Sequence, residues 1–348
     1  MAHPPVHYAD YLSLETLLNA QHPVSFQPGN QAAHDEMLFI IIHQSYELWF
    51  KQIDFEVQSI LNIMQQPVLN DNSADLQTIV HRLNRVNTIL RLLVQQIDIM
   101  ETMTAMDFLD FRDLLRPASG FQSWQFKKLE AMLGLKYEQR FGQHYYTSQL
   151  RPAEVDLIHQ TEAAPSLIEL LNQWLERMPF IQDEKYWEGY QPVTDVQEAP
   201  VFWNDYTAIY RNSLAPAEQD NSKLFDEVFG EGAAVSSRQL SARACRSALF
   251  ILLYRGYPML ELPFRLLEGL LETDSLLGNW RYRHFNMVQK MIGSRIGTGG
   301  STGAHYLKAA MDQHYIYKEL SRLTSFLINR RQLPVLPAKL VEQLGYQF

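Results

Sequence analysis

The sequence predicts an all-α fold, and three observations carry that expectation. Apolar residues recur at steps of three and four over long stretches, which is the signature of one buried helical face. No sustained period-two stretch is present, and no Asn-Gly or Asp-Gly pair offers a hairpin turn. Strand-like and helix-like segments do not alternate, so a parallel sheet is not indicated.

Taken in order, the opening MAHPPVHYADYLSL is polar and proline-bearing, with no apolar segment resembling a signal peptide. The first long pattern covers about Asp35–Met64, with Phe39, Ile42, Tyr46, Trp49, Ile53, Val57, Ile60 and Met64 on one face. A second runs through Leu76, Ile79, Leu83, Val86, Leu90, Leu93, Ile97 and Met100, with Ser73 as its cap. That coiled-coil-like seam offers a surface for packing between subunits. Further helices are expected near Ala105–Leu115, Phe121–Leu133, Ala153–Arg177, Pro200–Leu214, Arg238–Tyr254, Phe264–Leu271, Asn279–Met291 and Gly303–Ile328. The stretch at about 178–237 is more polar and reads as a helical excursion, but nothing flanking it looks like a flexible linker. We therefore expect a single helical unit over 1–348.

Composition narrows the function classes. A hydrophobic share of 46 % with 20 % charged residues excludes a disordered chain, and 348 residues suffice for a large core. A net charge of −9 argues against a nucleic-acid binder, which needs a basic face. The longest apolar run, Met37–Ile42, is too short to span a bilayer. The one cysteine, Cys245, rules out an intrachain disulfide framework, a Cys-ligated structural zinc and a Cys-held iron–sulfur cluster. It suits a reducing compartment, and a cytoplasmic location is the expectation.

Three constellations could carry chemistry. In Phe39-Ile-Ile-Ile-His43 the histidine shares the apolar helix face with Phe39 and Tyr46. It is either a satisfied core residue or a neutral pocket histidine that exchanges one hydrogen bond with a ligand. In Phe108-Leu-Asp-Phe111-Arg112, followed by Pro117-Ala-Ser119-Gly120, the arginine is either a structural partner of Asp110 or Asp113 or a bidentate carboxylate clamp. The third is Trp280-Arg-Tyr-Arg-His284, then Gly297-Thr298-Gly-Gly-Ser301-Thr302-Gly303. That glycine run lacks the Lys of a P-loop and follows a helix, so nucleotide binding fits poorly. It is either a helix-to-helix turn or a loop whose hydroxyls close over a small polar group. His284 has no companion ligands at metal-cage spacing; it is either an ordinary packed histidine or the single axial ligand of a non-covalent haem. His34 and Glu36 lack a third partner for a non-haem iron triad, and acidic residues near a helix start explain them.

Together and in this order, these stretches resemble the tryptophan 2,3-dioxygenase family. The matching segments are Tyr8-Ala-Asp-Tyr11, HDEMLFIIIHQSYELWFKQ from His34, METMTAMDFLDFRDLLRPASGFQS from Met100, WRYRHFNMVQKMIG from Trp280 and GTGGSTGAHYL from Gly297. The resemblance implies a long-helix bundle enclosing a haem pocket, and an enzyme that uses O2 to open the indole ring of L-tryptophan, giving N-formylkynurenine. It implies haem b, non-covalent and ferrous when active, with His284 as the iron's axial ligand and Trp280 against the haem. It implies that His43 hydrogen-bonds the indole N–H, Phe39 and Phe108 wall the indole pocket, and Arg112 and Thr298 hold the amino-acid end. Ser119 and Gly120 match the turn beside the O2 site. Tyr8 and Tyr11 match residues that complete a neighbouring subunit's pocket, which implies a homotetramer. The loop departs from the family pattern at Thr302 and Ala304. Two other readings remain: a related histidine-ligated haem enzyme that hydroxylates an aromatic amino acid, and a non-enzymatic haem sensor.

Overall fold

A computed structural model describes residues 5–70, 73–181, 183–195, 198–230, 238–298 and 303–345, apart from the side chains at 144, 145, 303–305 and 312. Among these residues the regular structure is entirely helical, with no strand. Two short helices, α1 (Tyr8–Tyr11) and α2 (Leu14–Leu18), precede the long α3 (Glu36–Met64) and α4 (Ala74–Met100). Next come α5 (Ala105–Arg112), α6 (Trp124–Leu133), α7 (Gln143–Thr147), α8 (Pro152–Ala163) and α9 (Leu167–Glu176). The chain continues through α10 (Val201–Ser213), α11 (Asp220–Phe229) and α12 (Ala242–Leu253) to α13 (Pro258–Ile292). It ends with α14 (Gly303–Gln313), α15 (Lys318–Arg322) and α16 (Ala338–Leu344). No helix among the described residues is long and apolar enough to cross a membrane.

The central packing is α4 between α3 and α13. All eight apolar positions expected on α4, from Leu76 to Met100, are buried, and Ser73 caps the helix by accepting the Leu76 N–H at 3.1 Å. Each such side chain contributes about 1.5–3 kcal/mol by leaving water. The seam is thus spent inside the chain rather than between subunits, which corrects the expectation above. A close crossing fixes the register of α13 on α4: a Cβ at Gly269 would meet Leu83 Cδ2 at 2.7 Å. Beside it, buried Asn87 donates to the Gly269 carbonyl at 2.9 Å and accepts from Thr273 Oγ1 at 2.7 Å. Further along, Arg283 donates to Asp98 at 2.6 Å and Glu101 at 3.1 Å. These cross-links set where the last turns of α13 present Trp280 and His284.

Boundaries differ from expectation at three places, each with a local cause. The helix expected over Ala153–Arg177 is two, because Pro165 holds Ala164 extended (ψ 156°) and Glu169 accepts from the Ser166 N–H at 2.7 Å to start α9. Conversely, α13 is continuous through Glu272–Ser275. Thr273 and Asp274 there are buried rather than helix-breaking, and the Asp274 carboxylate accepts the N–H groups of Ile316 and Tyr317 at 3.0 and 2.8 Å. Those two bonds also end the helix expected over Gly303–Ile328, dividing it into α14 and α15. Around 178–237, among the described residues, Phe202, Trp203, Tyr206, Phe225 and Phe229 join the same core cluster as the long helices, and the buried Asp205 carboxylate accepts from the Tyr190 hydroxyl at 2.6 Å and the Val193 N–H at 2.9 Å. Glu36, set aside as a metal ligand, is buried and accepts the Val24 and Ser25 N–H groups, each at 2.8 Å.

Candidate active site

One cavity of about 310 Å³ opens between α3, α5, α6, α13 and α14. Phe39, His43, Phe108, Arg112, Ser119, Gly120, Trp280, His284 and Thr298 all line it. Residues separated by most of the chain are therefore brought to one place. Tyr8 and Tyr11 are not: they sit on α1, 70 % and 76 % exposed, away from the cavity. Ser301 and Thr302 lie outside the described residues, as does the side chain of Ala304.

On α3, His43 and Phe39 are one turn apart, and their rings lie 4.1 Å centroid to centroid. His43 Nδ1 is 2.7 Å from the Phe39 carbonyl oxygen. A carbonyl only accepts, so Nδ1 carries the proton and Nε2 is left as an acceptor. Burial lowers the His43 pKa, opposed by the Phe39 carbonyl and Glu47, so the ring is neutral near pH 7. Phe108 stacks on Phe39 at 5.7 Å from α5, whose start is held by a reciprocal Thr104–Asp107 cap.

Arg112 is buried at the end of α5. Its Nη2 donates to the Ile296 carbonyl, two residues before Thr298, and its Nε is buried without a hydrogen-bond partner among the described residues. Neither Asp110 nor Asp113 holds it; Asp113 pairs with Arg116 at 3.3 Å. A buried guanidinium with an unused donor is a site for an anion. Ser119 accepts from the Phe121 N–H at 3.3 Å, fixing the turn that carries Gly120.

On α13, His284 lies one turn beyond Trp280, the two rings stacked 5.1 Å apart and only 5° from parallel. Trp280 is braced by Phe126 at 4.9 Å and Tyr46 at 6.2 Å. His284 Nδ1 is buried without a hydrogen-bond partner among the described residues. Burial, reinforced by His43, lowers its pKa to about 4, which keeps the imidazole neutral. Among the described residues no three His, Cys, Asp or Glu side chains gather around one point.

The cavity lining also carries a polar group that sequence reasoning missed. Glu130 on α6 accepts from Arg140 and Arg281, each at 2.6 Å, and these two cations hold it at about 2 despite its burial. Arg281 also donates to the His314 carbonyl at 2.8 Å. Lys127 donates to the Phe121 carbonyl at 2.6 Å; burial, partly offset by Glu130 and reinforced by Arg140, lowers it to about 8. Arg140 lies 3.9 Å over the Tyr146 ring, whose hydroxyl is buried without a hydrogen-bond partner among the described residues. Three buried cations thus face one fully buried carboxylate, with Glu162 near Arg140 at 4.0 Å, and the balance is cationic. Nothing in the local sequence marks these residues, because their shared site exists only after folding.

The comparisons with known proteins agree with one another. The family model described as tryptophan 2,3-dioxygenase matches residues 2–327. A protein named tryptophan 2,3-dioxygenase from Bdellovibrio bacteriovorus is 41 % identical over the full length of both chains. Proteins of that name from Dictyostelium discoideum (42 % identical, 98 % of this chain and 88 % of that one) and Xenopus laevis (38 %, 94 % and 83 %) are similar across most of their lengths. With a family model spanning nearly the whole chain and relatives of this identity, the chain belongs to the tryptophan 2,3-dioxygenase family.

Proposed function

We propose that this protein is a haem-dependent dioxygenase that inserts both atoms of O2 into the indole C2–C3 bond of L-tryptophan, the first step of tryptophan catabolism by the kynurenine route. The observation that carries the reading is the convergence of an acceptor-only imidazole face, two phenylalanine walls, a buried arginine and a second, neutral histidine on one cavity. The C2–C3 bond breaks, each carbon keeps one oxygen, and N-formylkynurenine retains every atom of both reactants.

The residues lining the cavity suit a non-covalent haem b. His284 would ligate the iron with Trp280 stacked beside it, and the cationic end, Lys127, Arg140 and Arg281 with the Tyr146 hydroxyl, would hold the two carboxylates. When bound in its ferrous form, the haem supplies the iron that takes up O2. His43 Nε2 accepts the indole N–H and so fixes the orientation of the ring. Phe39 and Phe108 exclude water from its faces. Arg112 takes the substrate carboxylate through its unused donors, and the Thr298 hydroxyl receives the same end. A Cβ at Gly120 would meet nothing within 4 Å, so the turn after Ser119 leaves open space on the cavity lining through which O2 can approach. No strong acid–base pair is needed for an addition of this kind, and none of the residues above forms one.

We read the chain as one catalytic unit in a cytoplasmic homotetramer. The exposed Tyr8, Tyr11 and Leu18 support an N-terminal arm that completes a neighbour's site. Ile41, Leu48 and Phe55, exposed at seven-residue spacing along α3, support a subunit contact. The single Cys245 is buried and suits a reducing compartment. The test is turnover: haem-loaded protein with reductant, L-tryptophan and air should produce the absorbance of N-formylkynurenine. A haem-loaded protein that leaves tryptophan unchanged would overturn the reading.

A further inference from the structure

Phe111 is fully buried at 0 % exposure and does not line the cavity, yet it touches both aromatic walls that do. Its ring meets Phe39 edge-on at 5.6 Å and Phe108 edge-on at 5.4 Å, at 68° and 89°. It sits between Phe108 and Arg112 in α5, one turn after the former and one residue before the latter. Met100, the last residue of α4 and itself on the cavity lining, and Met103, three residues further on, belong to the same buried cluster as Phe111. The two cavity walls therefore rest on a third ring, which shares its buried cluster with two thioether side chains.

We propose that Phe111 is a specificity-determining positioning residue: it sets how far Phe39 and Phe108 can retract, and so which ring-substituted tryptophans the cavity admits. The inference rests on the reading of these two phenylalanines as the indole walls. A wall ring cannot yield to an extra methyl group while close-packed atoms stand directly behind it. Shortening Phe111 opens space into which Phe108 can turn, and the flexible methionines of the same cluster can adjust without breaking a hydrogen bond. The polar contacts at Arg112 and His43 are untouched, so discrimination by ring size should change separately from recognition of the amino-acid end.

The experiment compares kcat/KM for L-tryptophan with that for its 4-, 5-, 6- and 7-methyl analogues, in haem-loaded wild type and in Phe111→Leu. One methyl group in a close-fitting pocket changes kcat/KM by about 10- to 200-fold. The expected result is that the methyl-to-parent ratio rises about tenfold or more for at least one ring position. A merely structural loss lowers both substrates together and leaves every ratio unchanged. Phe111→Met serves if the leucine variant does not fold. Phe108→Leu should relax the same ring position, and adding Phe111→Leu to it should give less than the product of the two effects. Unchanged ratios in a folded Phe111 variant, with wild type turning over tryptophan, would overturn the proposal. Failure of wild type to turn over tryptophan would instead overturn the reading on which it rests.

Discussion

His43 Nδ1 lies 2.7 Å from the carbonyl oxygen of Phe39, one turn earlier on the same helix. That single contact decides which ring nitrogen is free. It leaves Nε2 as an acceptor for as long as the ring stays neutral, which is the state that the proposed bond from an indole N–H needs.

Activity should therefore have an acid limb below the ordinary histidine value of 6.5, because burial lowers the His43 pKa and protonation of Nε2 removes the acceptor. Above 6.5 the rate should be flat with respect to this group. A limb in kcat/KM at or above 6.5 that disappears in His43→Ala would contradict the assignment. His43→Ala itself should cost about tenfold or more in kcat/KM, the range for a lost buried hydrogen bond.

Arg112→Lys should raise KM for tryptophan by about 10- to 100-fold, the equivalent of one charge-assisted hydrogen bond lost from a bidentate pair. Tryptamine, which has no carboxylate, supplies the control. The tryptophan-over-tryptamine preference should shrink in the variant, and an unchanged preference would remove Arg112 from carboxylate recognition.

Lys127, held near 8 by burial, should make porphyrin binding pH-dependent. An anion raises the pKa of the lysine it meets, so affinity is full below that value and falls as pH rises through it. Titrating the haem-free protein with protoporphyrin IX from about pH 7 to 9.5 should show this weakening, by several-fold, one charge-assisted bond being involved. Lys127→Met should bind more weakly at pH 7 and lose the dependence. An equal slope in both proteins would separate Lys127 from the porphyrin carboxylates.

Glu130→Gln leaves Arg140 and Arg281 without their shared anion, and such a break in a buried network costs about 3–5 kcal/mol. The carboxyl sits at about 2 rather than 4.5, so its contribution is complete above 4.5 and is lost as pH falls towards 2. Urea midpoints should drop more steeply between about pH 5 and 3 in wild type than in the variant. Equal slopes would assign the acid sensitivity elsewhere.

The long helices were legible because a wide buried stripe repeats at 3.6 residues, as the run from Leu76 to Met100 on α4 does. The site was legible in part. His43, Arg112 and His284 each sit in an aromatic setting that a surface residue does not need, and the structure gathers them around one cavity. Continuity of α13 was hidden because Thr273 and Asp274 look like a polar break, and only their partners Asn87, Ile316 and Tyr317 show them to be interior cross-links. The cationic wall was hidden for a related reason. Lys127, Arg140 and Arg281 come from separate segments, and each alone reads as an ordinary solvated charge until Glu130 collects two of them. Phe111 stood in the motif around Arg112 but nothing marked a role of its own, since a buried phenylalanine is what any core supplies.

The central claim is that this cavity delivers both atoms of one O2 molecule to the two carbons of the same indole bond. The most direct measurement is single-turnover oxidation of L-tryptophan by the haem-loaded, reduced protein under 18O2, with the product analysed by mass spectrometry. The account predicts N-formylkynurenine carrying two 18O atoms, one on the formyl carbon and one on the ketone. A product that gained only one labelled oxygen with the indole ring intact would contradict it and indicate hydroxylation instead.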